Sequence, residues 1–184
     1  MLFRSSAICS ILLSSLWACA QSVPDAKAGF ERIRVGGYYS YFDTGYSGYR
    51  MTGPSAFIDW SSSALWHFGA EAEGRWLIGN APNNFSQYTY LAGPRYRFPI
   101  GRRVQPYAKF LMGAGEVNFP YHLAHGGYFA IAVGGGAELA MRRRWRLRVD
   151  YEYQIWPDAV GIPGIPSPAL KPNGVSAGIS YRVF

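Results

Sequence analysis

Trp145-Arg146-Leu147-Arg148-Val149-Asp150-Tyr151-Glu152-Tyr153-Gln154 alternates without interruption between apolar and polar side chains. In an extended strand, successive side chains point to opposite faces, so the odd positions form an apolar face and the even positions a charged one. A helical turn would scatter both sets around its circumference. The stretch is a β-strand lying between two environments, one of which accepts arginine and carboxylate side by side.

The same period runs through the rest of the chain. In 29–42, Ile33, Val35, Gly37, Tyr39 and Tyr41 oppose Arg32, Arg34, Gly36 and Ser40. In 64–78, Trp66, Phe68, Ala70, Ala72 and Trp76 oppose His67, Gly69, Glu71, Glu73 and Arg75. In 86–98, Tyr88, Tyr90, Ala92, Tyr96 and Phe98 oppose Gln87, Thr89, Arg95 and Arg97. In 174–184, Val175, Ala177, Ile179, Tyr181 and Val183 oppose Ser176, Gly178, Ser180 and Arg182. Weaker alternation marks 55–61, 104–115 and 128–140. The total is eight strands, each long enough to cross a bilayer when tilted. Short connections (Ser61-Ser62-Ser63, Pro99 to Arg103, Met141 to Arg144) alternate with long ones (43–54, 79–85, 116–127, 155–173). That rhythm predicts an all-β protein, an eight-stranded antiparallel up-and-down transmembrane β-barrel with one plain end and one elaborate end.

Length and composition agree. The chain has 184 residues, room for one domain, and 17% of them are aromatic. No continuous apolar run of about 18 residues follows the N-terminus, which excludes a bundle of membrane helices. The N-terminus itself reads as a signal peptide over 1–20, with Arg4 as the charged region, Ala7 to Trp17 as the apolar region and Ala18-Cys19-Ala20 as the cleavage site. Residues 21–28 form a short lead-in from Gln21, and 29–184 form the barrel. A second reading takes Leu16-Trp17-Ala18-Cys19 as a lipobox with Cys19 acylated. The two cysteines, Cys9 and Cys19, both lie in this segment, so the exported chain has no disulfide framework and no cysteine metal site. Loss of Arg4 lowers the net charge from +7 to +6. A basic balance can signal nucleic acid, but export and arginines alternating along strands argue against it.

Alternation does not say which face is inside. The polar face carries Arg32, Arg34, Arg75, Arg95, Arg97, Lys109, Arg146, Arg148 and Arg182 with Asp59, Glu71, Glu73, Glu138, Asp150 and Glu152. Of the 18 bases 15 are Arg, the residue suited to enclosed, multi-donor pairing rather than to a solvated surface. These residues are expected to form a lumen charge network, with Glu138 opposite Arg148 across the Arg142–Arg144 turn and Asp59 opposite His67 across the serine turn. Tyr38, Tyr107 and Leu111 also point inward. The aromatics of the apolar face (Tyr39, Tyr41, Trp66, Trp76, Tyr88, Tyr96, Phe98, Trp145, Tyr153, Tyr181) gather toward strand ends, as interfacial girdles do. An aromatic-rich soluble core is the alternative.

The chain closes with Gly178-Ile179-Ser180-Tyr181-Arg182-Val183-Phe184, which is similar to the C-terminal signal of bacterial outer-membrane barrels. Ala92-Gly93-Pro94-Arg95-Tyr96-Arg97-Phe98, Pro106-Tyr107-Ala108-Lys109 and Arg148-Val149-Asp150-Tyr151 likewise resemble the small outer-membrane β-barrel domain family, OmpA- and OmpX-like, over essentially all of 29–184. The resemblance implies a Gram-negative outer membrane and an assembly signal (Gly178, Tyr181, Val183, Phe184) read by the barrel assembly machinery. It implies both termini in the periplasm, short turns there and long loops outside. Partners are then outer-membrane lipid and lipopolysaccharide, with no nucleic acid and a monomeric barrel. Arg102, Arg103, Arg142, Arg143 and Arg144 would meet phosphates of the inner leaflet.

Catalytic signals are weak. The family includes two lipid A enzymes, one of which uses a Ser–His pair on one strand. None of the histidines here is followed by Ser two positions on: Gly69 follows His67, Ala124 follows His122 and Gly127 follows His125. His122-x-x-His125 with Glu116 is a thin ligand set, and His67 with Glu71 and Glu73 fits a salt-bridge network better than a metal. Gly134-Gly135-Gly136 lacks the context of a phosphate loop and instead makes room for long arginines from facing strands. No cofactor, no metal and no enzymatic activity are expected. The expected role is structural or surface-interactive, with no stable channel; a lipid A-modifying enzyme, a small narrow porin and a soluble ligand-binding barrel are the alternatives.

Overall fold

The computed structural model describes residues 32–43, 50–62, 65, 67–79, 86–101, 103–118, 125–157 and 169–183, the side chains of 125 and 126 excepted. The signal segment, the lead-in, Trp66, Arg102, His122, Phe184 and the centres of the long connections lie outside them. The strands are β1 (Arg32–Asp43), β2 (Arg50–Ser61), β3 (Phe68–Gly79), β4 (Ser86–Arg97), β5 (Val104–Asn118), β6 (His125–Ala140), β7 (Trp145–Ile155) and β8 (Asn173–Arg182). Each pairs antiparallel with its sequence neighbours, and β1 pairs with β8 to close the barrel. All eight expected strands are present. Closure leaves no open edge, the condition for exposing a sheet to hydrocarbon.

Burial follows the alternation strand by strand. On β7 the side chains of Arg148, Asp150, Glu152 and Gln154 are buried while Leu147, Val149 and Tyr151 are exposed. On β1 the buried set is Arg34, Tyr38, Ser40 and Phe42, and the exposed set includes Val35, Tyr39 and Tyr41. A barrel whose charged residues are inside and whose valines, isoleucines and aromatics are outside inverts the soluble pattern, as a lipid-facing barrel must.

Several strand limits shift. β2 begins at Arg50 rather than 55, and β5 and β6 run to Asn118 and from His125. The connection after β2 is longer than three serines: β3 starts at Phe68, and His67 sits in the turn at φ 96°, its carbonyl accepting from Arg97 N–H at 3.0 Å. That positive φ is uncommon for a residue with a Cβ and removes His67 from the strand face assigned to it. The three shorter connections share one end of the barrel with the start of β1 and the end of β8.

Three glycines let large inward side chains fit. A Cβ on Gly178 would lie 2.4 Å from Tyr38, one on Gly36 2.5 Å from the Phe57 ring, and one on Gly115 2.2 Å from Trp156. Of the Gly134–Gly136 run, alternation turns Gly134 and Gly136 inward. They make room for Lys109 and Tyr107, at 3.0 and 2.9 Å from a notional Cβ, rather than for arginines.

Candidate functional site

Strand tilt brings inward side chains of distant strands into one lumen, and thirteen of the fifteen expected charges join in ion pairs there: the acids Asp59, Glu71, Glu73, Glu138, Asp150 and Glu152, and the bases Arg34, Arg75, Arg95, Arg97, Lys109, Arg146 and Arg148. Arg32 is exposed at the start of β1, and Arg182 donates to the Arg143 carbonyl at 3.3 Å instead.

Toward the short-turn end, Arg95 bridges acids from three strands: Asp59 at 2.8 Å, Glu71 at 3.2 Å and Glu138 at 2.5 Å. Arg97 pairs with Asp59 and Ser61, and Arg34 and Arg146 approach Glu138 at 3.5 and 3.3 Å. Asp59 and Glu71 are cross-strand neighbours of like sign, a repulsive pairing that Arg95 neutralises by sitting between them.

In the next layer Arg148 donates two hydrogen bonds to Glu71, at 2.6 and 3.0 Å, and one to the Tyr107 hydroxyl at 2.7 Å. The two-pronged geometry is the strong form of the Arg–carboxylate contact. Lys109 Nζ sits among four carboxylates, 2.6 Å from Asp150, 2.7 Å from Glu152, 2.8 Å from Glu73 and 3.6 Å from Glu71. Glu71, Glu73 and Asp150 hold oxygens within 4.8 Å of one another, spacing a cation could use, but the Lys109 ammonium already stands in that position. Arg75 joins Glu73 at 2.9 Å to Glu152 at 2.7 Å, and Tyr38 donates to Glu73.

Two expected pairs do not form. Glu138 and Arg148 are register partners, yet no ion pair joins them; both reach across the lumen. Asp59 lies opposite Glu71, not His67, because the turn is longer than three residues. His67 is exposed and outside the network.

Sequence reasoning placed Tyr38 and Tyr107 inward but left out Phe42 and Phe57 and the stacking of arginines on these rings. Arg148 stacks 4.1 Å from the Phe57 centroid, Arg95 3.8 Å from Tyr107 and Arg75 4.2 Å from Phe42. Such contacts strengthen when desolvated. Toward the other end the interior turns apolar. Phe42, Met51 and Leu77 form one buried cluster; Leu91, Leu111, Val117, Ala130, Ala132, Trp156 and Leu170 form another, with Tyr128 packed on it. Trp156 is held by a backbone bridge to Leu170 and donates Nε1–H to Gln154 at 2.9 Å. The expected lumen charge network therefore stops short of this mouth, where the interior is apolar. The signal was present in the sequence as Phe42, Met51, Leu77 and Val117 on the inward parity of their strands.

The outer face carries rings at both ends. Trp145 packs 4.9 Å from Tyr181, and Tyr96 lies 4.9 and 5.0 Å from Phe68 and Phe98, near the short turns. Trp76 donates to the Tyr90 hydroxyl at 3.0 Å toward the other end. Gly178, Tyr181 and Val183 of the C-terminal signal are built into the β8 seam, Val183 N–H donating to Ile33 at 2.9 Å. Glu116 is exposed on the outer parity of β5.

Residues 10–182 match the outer membrane protein beta-barrel domain. The chain belongs to that family. The barrel is accordingly one of the bacterial outer membrane. No curated protein matches the chain in sequence. Among solved structures, Neisserial surface protein A is similar at TM-score 0.63 and 11% identity, over 85% of this chain and 99% of that one. Ail of Yersinia pestis is similar at 0.52 and 17%, over 83% and 97%. OprG of Pseudomonas aeruginosa is similar at 0.51 and 13%, over 85% and 96%. At these identities the likeness is one of fold.

Proposed function

We propose that this outer-membrane barrel is a non-conducting, non-catalytic envelope protein that acts through its long-loop end, with its lumen serving as a rigid filled core. The supporting observation is the cross-lumen bonding of Arg95, Lys109 and Arg148, each of which ties together at least two acids across the space a pore would need. An eight-stranded barrel has an interior only wide enough for side chains to fill. Above the charged layers, the Trp156 cluster adds an apolar barrier to ions. The termini and short turns face the periplasm in this reading, and the loops between β1 and β2, β3 and β4, β5 and β6, and β7 and β8 face outward. The ordered strands supply rigidity, and the loops supply contact with surface partners. The segment Gly178 to Phe184 serves the assembly machinery during biogenesis, and the folded barrel is a monomer surrounded by phospholipid and lipopolysaccharide.

Purified protein in a planar bilayer is expected to give no steady current. A sustained ohmic conductance overturns the closed-lumen reading and favours a small porin. Mass spectrometry of lipid A from an expressing host is expected to be unchanged, and a new acylation state would establish an enzyme. Protease added to intact cells is expected to cut within 155–173; protection of that loop would overturn its outward placement.

A further inference from the structure

The short-turn rim is charged on one side only. Arg32, Arg103, Arg142, Arg143 and Arg144 are exposed there, and Arg182 is half-buried beside them. A run of backbone hydrogen bonds fixes them as one arc. Ala140 N–H donates to Arg103 at 2.8 Å, Arg182 N–H to Arg144 at 2.9 Å, and Val183 N–H to Ile33 at 2.9 Å. The arc thus spans the ends of β5, β6, β7, β8 and β1. Among the described residues no exposed acid shares this rim: the remaining acids are in the lumen, or, as Asp43 and Glu116, at the other end.

The arc is also amphipathic in the direction a bilayer requires. Directly above it on the outer face lie Met141, Trp145 and Leu147, all exposed, with Trp145 against Tyr181. The Tyr181 hydroxyl accepts from Arg144 at 2.9 Å, joining an interfacial ring to a guanidinium. Apolar surface, then aromatic rings, then arginines is the order of acyl chain, glycerol region and phosphate.

We propose that this arc is a docking surface for anionic phospholipid headgroups of the adjoining leaflet, with the 142–144 turn as its centre. The proposal rests on the transmembrane reading. Guanidinium groups take phosphate oxygens through paired N–H donors, and a glycerophospholipid with a net negative headgroup satisfies them without the ammonium that a zwitterionic lipid would bring near. A soluble polyanion lacks the acyl chains that Met141 and Trp145 are placed to meet.

The test uses the full folded protein in detergent, stripped of lipid and titrated with phosphatidylglycerol or phosphatidylethanolamine, with bound lipid counted by native mass spectrometry. Wild type is expected to retain phosphatidylglycerol about tenfold more than phosphatidylethanolamine, and the triple variant Arg142→Gln, Arg143→Gln, Arg144→Gln to lose most of that preference. Arg50→Gln, at the opposite end, is expected to keep it. Equal retention of both lipids, an undiminished preference in the triple variant, or an equal loss in Arg50→Gln overturns the site. Displacement of phosphatidylglycerol by equimolar pyrophosphate would identify a free-phosphate site and also overturn it. Insertion into vesicles, read by heat-dependent gel mobility, is scored separately: its failure overturns the transmembrane reading, whereas insertion without lipid preference overturns only the docking surface.

Discussion

Glu138 and Arg148 face each other across the β6–β7 ladder, but each is neutralised from another strand, Glu138 by Arg95 of β4 and Arg148 by Glu71 of β3. The lumen is bonded across its diameter as well as along its wall. Removing Glu138 therefore takes one acidic partner from each of Arg95, Arg34 and Arg146 and leaves Arg148 paired. Glu138→Ala should cost about 3 kcal/mol in urea unfolding from vesicles. In double-mutant cycles Glu138 should couple to Arg95 by about 1–3 kcal/mol and to Arg148 by no more than about 0.5 kcal/mol.

Lys109 is the counter-charge for four acids at once. Lys109→Met leaves them facing one another with no ammonium, and should cost about 3–5 kcal/mol by the same unfolding assay. Adding Glu73→Gln removes one of the mutually repelling charges and should recover part of the loss. A double variant less stable than Lys109→Met would show that the acids do not need this lysine.

Gly115→Ala tests the apolar mouth. The new methyl would meet the Trp156 ring at 2.2 Å, so the indole must move from its buried seat, at about 1–3 kcal/mol. Tryptophan emission should shift to the red. Gly127→Ala, where a Cβ meets nothing within 4 Å, should leave both stability and emission unchanged.

Val149 is 52% exposed at mid-strand on β7, between Ala137 and Ala177. Val149→Arg should lower folding stability in a bilayer by about 2–4 kcal/mol, as arginine does near a membrane midplane. On a water-facing surface the same change would be nearly neutral, so a null result in the folding assay would remove lipid from this face.

Alternation alone located all eight strands, because both faces of each strand meet a uniform medium over most of its length. It failed where the media change. Arg50 and Glu116 point outward while Met51 and Val117 point inward, the polarity of a water-soluble protein, so the ends of β2 and β5 beyond the hydrocarbon zone did not read as continuations. The charged inward residues were legible from Arg146 and Arg148 alternating with valine and leucine, but their partners were not. Ion pairs such as Lys109 to Glu152 depend on strand tilt and on room left by Gly134, neither of which leaves a local trace in sequence. His67 was misplaced for a simpler reason: a serine run gives no sign of where a turn ends.

The Glu71–Arg148 contact spans 77 positions, and the β1–β8 seam joins the first strand to the last. Until that ring shuts, β3 and β4 carry carboxylates and guanidiniums with no opposite wall to face. A half-built sheet released into hydrocarbon would hold bare charges as well as an open edge, each strongly disfavoured there. The charges that make the finished barrel rigid thus forbid its gradual growth within the lipid: the intermediates must stay curled around water or held by a helper until β8 arrives. Assembly is then all-or-none, timed by the arrival of β8, and a chain that stalls before it has no stable resting place in the membrane.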